Sequence, residues 1–154
     1  MIPGLKPLII PLVSAAAIGL ALLHGGCARP LQNGESIFLT GKNIAGKIIQ
    51  NDIDRTALRD PSIQIACASC HGENRTGRKN PIPDLGPFAA PDITRASLSS
   101  ANARRAAYTP ESLRGALLVG RNPSGKGLHY PMPKWKLDSR DLDDLVDYLL
   151  PQSD

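Results

Sequence analysis

Two cysteines and a histidine fall within five residues, Cys67-Ala68-Ser69-Cys70-His71, and no other stretch of the chain holds so much reactive chemistry in so little length. Two thiols three positions apart on one helical turn can each add to a vinyl group on the same edge of a porphyrin, giving two thioethers, while an imidazole next in line projects toward the metal from one face. The motif therefore predicts one covalently attached haem c, bonded through Cys67 and Cys70, with His71 as an axial ligand of the iron. Other uses of the cysteine pair fit less of the chain. Structural zinc takes four ligands, and of the remaining Cys and His residues only Cys27, His24 and His129 are on offer. A thioredoxin-like pair would sit beside a strand-helix-strand pattern, which is not found around residue 67. A Cys67–Cys70 disulfide would close a short, strained ring and leave His71 without a task.

A second axial ligand has to come from far along the chain. Tyr130-Pro131-Met132-Pro133-Lys134-Trp135 offers a methionine held between two prolines, and the other methionine of the chain is Met1. Proline fixes the backbone on both sides, so the thioether can be presented to iron with little freedom lost on folding. A soft neutral sulfur favours ferrous iron relative to a second imidazole, which suits an electron carrier. Met132 is accordingly the predicted sixth ligand. Two alternatives stand beside it: a methionine that only fills the core, and His129 as partner of His71 in a bis-histidine site.

The N-terminus carries Lys6, then an uncharged, mostly apolar stretch from Leu8 to Leu23, then Gly25-Gly26-Cys27. This pattern reads as an export signal over residues 1–26, or as an uncleaved anchor, since sixteen residues interrupted by Pro11 are slightly short for a membrane span. Cys27 lies where a lipoprotein signal would be cut and its thiol acylated, although His24 and Gly25 stand where that pattern has other residues and Leu23 is one position early. Lipid anchoring at Cys27 and ordinary cleavage nearby are both open, with 27–32 as a tether. Export to the periplasm agrees with the haem, whose attachment in bacteria takes place outside the cytoplasmic membrane.

From Cys27 onward 128 residues remain, enough for one core, and 33–154 is read as a single haem domain. From Cys27 onward 17 Lys and Arg against 14 acids leave about +3, too mild to indicate nucleic acid. That balance permits a basic face that meets an acidic redox partner.

The elements that must position these groups are short. Asn33 as cap and Gly41 as stop bound a helix over 34–40. Residues 42–66 show no steady period, with Ile48, Ile49, Ile53 and Ile65 scattered among turn formers, and read as a long loop with room for a small hairpin. Residues 72–91 are rich in Gly, Pro and basic side chains and read as an extended loop. Thr109-Pro110-Glu111 starts a helix that carries Leu113, Ala116, Leu117 and Val119 toward the haem and stops at Gly120. The last helix is capped by Asp138 or Ser139, has acids at its positive end, repeats Leu142, Leu145, Val146 and Leu149 on one face, and ends before Pro151. The fold class is all-α, with three to five short helices around one haem and a long loop before the motif.

A C-x-x-C-H after a first helix, a methionine loop and a C-terminal helix together resemble a class I cytochrome c over roughly Asn33 to Leu150. The resemblance is narrower at residues 34–41, 67–72, 90–94, 108–120 and Met132-Pro133, which are similar to small exported monohaem cytochromes. It implies that the first and last helices cross, with Gly34 allowing close approach and Phe38, Leu145 and Tyr148 locking the contact. It also implies a backbone carbonyl bonded to the second nitrogen of His71, for which Asn80 to Pro83 are the candidates. Trp135 and Tyr130 are candidates to pack on the haem or bond a propionate, and Arg78 or Lys79 to neutralise one. The 33-residue separation of Gly34 from Cys67 departs from compact members of the class. The implied activity is one-electron transfer between redox protein partners with no substrate bond broken, so the protein is not expected to be an enzyme. The alternatives are a haem enzyme or gas sensor with a labile or vacant sixth position, and a fixed haem subunit of a membrane oxidoreductase.

Overall fold

The computed structural model describes residues 31–103 and 105–151. Among them the chain forms five short α-helices: α1 (Asn33–Thr40), α2 (Cys67–His71), α3 (Arg95–Leu98), α4 (Pro110–Val119) and α5 (Ser139–Leu149). Two 3-10 turns lie at Arg55–Ala57 and Pro83–Leu85, and four two-residue strands at β1 (Gln50–Asn51), β2 (Arg78–Lys79), β3 (Ala89–Ala90) and β4 (Trp135–Lys136). The helical architecture agrees with the expected class, but strict all-α is corrected by two antiparallel ribbons, β1 with β4 and β2 with β3. Strands this short have no period of their own, so hydrogen bonding to a distant partner defines them rather than local sequence.

Helix α1 crosses α5, and Gly34 sets how closely. A Cβ built on Gly34 would lie 1.9 Å from the carbonyl oxygen of Asp144 and 2.9 Å from the Tyr148 Cβ, so no other residue fits at this separation. Phe38 and Tyr148 then meet with ring centroids 5.6 Å apart and planes inclined at 47°. Ile37, Phe38, Leu145 and Val146 are completely enclosed at this crossing.

Asn33 does not cap α1, as the sequence suggested. The N-cap is Gln32, without a side-chain bond. The Asn33 amide instead donates to Asp141 at 3.0 Å and Asp144 at 2.6 Å on α5, and its oxygen accepts the Ile44 N–H at 3.0 Å. Asn43 donates to the same buried Asp141 carboxylate, so two amides, one at the start of α1 and one beyond its end, tie this part of the chain to the last helix. Gly41 ends α1 in the left-handed conformation (φ 69°), as a C-terminal glycine should.

The segment over 42–66 is less loose than its composition suggests. A bridge pairs Lys42 with Ile48, β1 reaches across to β4, and Ile49 and Ile65 enter the core while Ile48 stays exposed. Helix α4 begins with a reciprocal cap, the Ser112 N–H on the Thr109 hydroxyl at 3.2 Å and the Thr109 N–H on the Ser112 hydroxyl at 2.8 Å. Replacing Thr109 with Ala should cost about 1 kcal/mol, visible as a lower denaturant midpoint at unchanged slope. Leu113, Ala116 and Leu117 are buried, whereas Val119, placed by sequence on the same stripe, is 55% exposed. Helix α5 is capped by the Asp138 carboxylate, which accepts the Asp141 N–H at 2.9 Å, and it buries the four apolar residues expected of it. No helix among the described residues is long and apolar enough to cross a membrane.

Candidate functional site

Helix α2 is only five residues long, and local bonds hold it in shape. The Ala66 N–H donates to the Ser69 hydroxyl at 3.0 Å, and the Gly72 N–H closes the turn on the Ala68 carbonyl at 2.9 Å. This places Cys67, Cys70 and His71 on the wall of a cavity of about 830 Å³ that Met132 also lines. Leu85 and Phe88 before α3, Leu113 and Leu117 on α4, and Trp135 on β4 supply much of its apolar surface.

His71 is 6% exposed, and its Nδ1 lies 2.9 Å from the Pro91 carbonyl oxygen. A carbonyl can only accept, so Nδ1 carries the proton and Nε2 keeps its lone pair free for a metal. Burial holds the imidazole below its ordinary pKa, with the Pro91 bond opposing. The orienting carbonyl is thus Pro91 and not one of Asn80 to Pro83. The β2–β3 ribbon explains the difference, because it folds 78–90 back on itself and returns residue 91 to the motif. Gly77 makes that return feasible: its N–H donates to the His71 carbonyl at 2.9 Å, its φ is 84°, and a Cβ there would come within 2.4 Å of the Ala90 carbonyl oxygen.

Burial pushes the Cys67 thiol up to about 12, and it raises Cys70 as well, against the pull of the nearby Arg78 charge. Neither cysteine is in a disulfide. Among the described residues no cluster of three or more His, Cys, Asp or Glu could hold a metal ion. On the methionine side, Pro131 and Pro133 are buried, and the Met132 N–H donates to the His129 carbonyl at 3.0 Å. His129 and Tyr130 reach the cavity from its exposed rim, Tyr130 being 64% exposed. Arg78 and Lys79 are exposed on β2. Cys27 and His24, with the whole apolar N-terminal stretch, lie outside the described residues.

One contributor was not visible in the sequence: Pro91 acts through its carbonyl, which any residue possesses. Trp135 is 4% exposed, and its indole N–H has no partner among the described residues; the same holds for the Asn51 amide nitrogen.

A largely apolar cavity, two thiols on one turn and a neutral imidazole with a free Nε2 fit a covalently bound porphyrin and its iron. A family model described as cytochrome c matches residues 62–153, and the chain belongs to the cytochrome c family. It is a c-type cytochrome whose cofactor is covalently attached haem c. No curated protein and no solved structure matches the chain.

Proposed function

We propose that this chain carries single electrons between exported or membrane-bound redox proteins, holding its haem through thioethers from Cys67 and Cys70 and its iron between His71 and Met132. The observation that carries the reading is the convergence of these four side chains on one apolar cavity, with His71 turned by the Pro91 carbonyl so that Nε2 is the free nitrogen. The haem supplies a one-electron ferric/ferrous couple. The protein residues exclude water from most of it, hold both axial donors in place through either oxidation state, and leave a rim near Tyr130 open to a partner. Met132, set between Pro131 and Pro133, has little backbone freedom to swing away, which supports a carrier over a sensor with a vacant position.

Residues 1–26 act as the export signal or anchor, Cys27 is the site of lipid attachment if the signal is of the lipoprotein kind, and the haem domain follows the tether in the periplasm. The test is a mass and a spectrum. Mature protein should exceed the bare chain by one haem, and its ferric form should show the weak sulfur-to-iron band of His/Met ligation with no rapid carbon monoxide binding when reduced. A high-spin spectrum with fast carbon monoxide uptake would replace the carrier with a sensor or peroxidase.

A further inference from the structure

The segment between α1 and α2 is long, and it returns to the chain just beyond Met132. Strand β1 pairs Gln50 with Lys136 and Asn51 with Trp135. One position further on, the ladder continues through a side chain. The Asp52 N–H donates to the Lys134 carbonyl at 3.2 Å, and the Asp52 carboxylate accepts the Lys134 N–H at 2.8 Å, with the Lys134 ammonium 3.6 Å from its other oxygen. Pro133 has no N–H, so the Lys134 amide is the first backbone donor that follows Met132. On the other side the Met132 N–H donates to the His129 carbonyl at 3.0 Å, a bond inside the same loop that does not tie the loop to the rest of the protein.

We propose that Asp52 is a positioning residue for the sixth ligand: by accepting the Lys134 N–H it latches the methionine loop and sets how readily Met132 leaves the iron. Proline stiffens the link between Met132 and Lys134, so a methionine that moves away draws Lys134 with it and the bond to Asp52 must stretch or break. The carboxylate oxygen on the backbone amide carries the effect, because an ionised acceptor makes a stronger bond than a neutral one. The ammonium contact joins two side chains that are each about half exposed, and surface pairs of that kind contribute little. The inference rests on Met132 as the ligand proposed above and adds what governs its release. It gives the long segment ahead of the motif a task on the opposite side of the haem iron from His71.

The experiment uses holoprotein and two probes of the sixth position: the rate at which carbon monoxide binds the reduced form, and the concentration of imidazole that displaces the sulfur from the ferric form. Asp52→Ala should raise the rate about fivefold and lower the imidazole concentration about fivefold, the effect of one hydrogen bond. Asp52→Asn keeps an oxygen for the Lys134 N–H and should restore most of the wild-type behaviour. Thr109→Ala, a loss of similar size at the start of α4, should leave both readouts unchanged, which separates the latch from general destabilisation. An alanine variant with wild-type rate and imidazole response overturns the latch, as does an asparagine variant no better than alanine or a Thr109 variant that imitates it. If Asp52→Ala does not accumulate, hydrogen exchange in the wild type decides: the Lys134 amide should be protected, and free exchange overturns the proposal. A wild type that lacks the sulfur-to-iron band and takes up carbon monoxide at once overturns the His/Met ligation instead.

Discussion

Met132→Ala should retain the covalent haem but lose the midpoint potential of the native protein. The thioethers depend on Cys67 and Cys70, so the mass and the colour persist. Under the proposed ligation the change falls at the sixth position, where a soft sulfur that favours ferrous iron would give way to water or to a stronger donor. Axial ligands move haem potentials over roughly 0.8 V in all, and exchange of one thioether should lower this one by on the order of 0.2 V. Spectroelectrochemical titration measures the fall, and carbon monoxide should now bind the reduced protein quickly. His129 lines the same cavity three positions upstream, so the substitution is best repeated in a His129→Ala background. A drop of the same direction in both backgrounds assigns the effect to Met132. An unchanged potential would mean that the methionine is only packing.

Gly34→Ala should cost about 3 kcal/mol or more of stability, although alanine is the better helix former. The propensity gain is at most about 1 kcal/mol. Against it stands a methyl group 1.9 Å from the Asp144 oxygen and 2.6 Å from its carbonyl carbon, both backbone atoms of α5 that cannot rotate aside. Relief requires α1 and α5 to separate, which loosens Phe38 from Tyr148 and opens the enclosed layer of Ile37, Leu145 and Val146. For a chain of this size the loss corresponds to a melting temperature lower by about 10 °C. Heat denaturation of the holoprotein checks it; an unchanged or raised midpoint would show that the helices part more easily than their contacts indicate.

The parts of this fold that could be read in the sequence are those whose signals are local. Thr109-Pro110 and Asp138 begin α4 and α5 because a side-chain oxygen satisfies N–H groups three residues on, and the resemblance anticipated Gly34 and Tyr148 at the helix crossing. Asn33 misled because the same amide that could cap α1 is drawn off by two carboxylates on α5, a choice made by tertiary contact. Val119 misled because α4 turns its last residues to solvent. The carbonyl beside His71 was sought too early in the chain because a two-residue ribbon, invisible to any periodicity, brings Pro91 back instead of Asn80 to Pro83. Cys67, Cys70, His71 and Met132 were each legible by type and spacing, and the structure brings them to one cavity. The β1–β4 register that sets Asn51 opposite Trp135 was not, since nothing near residue 51 announces a neighbour at 135.

The Asn33 bond to Asp144 closes a span of 111 positions, and the helix that receives it is the last element of the described chain. The helices at the two ends of the described chain are thereby clamped to each other, so that loosening either one uncovers the same layer of Ile37, Phe38, Leu145 and Val146.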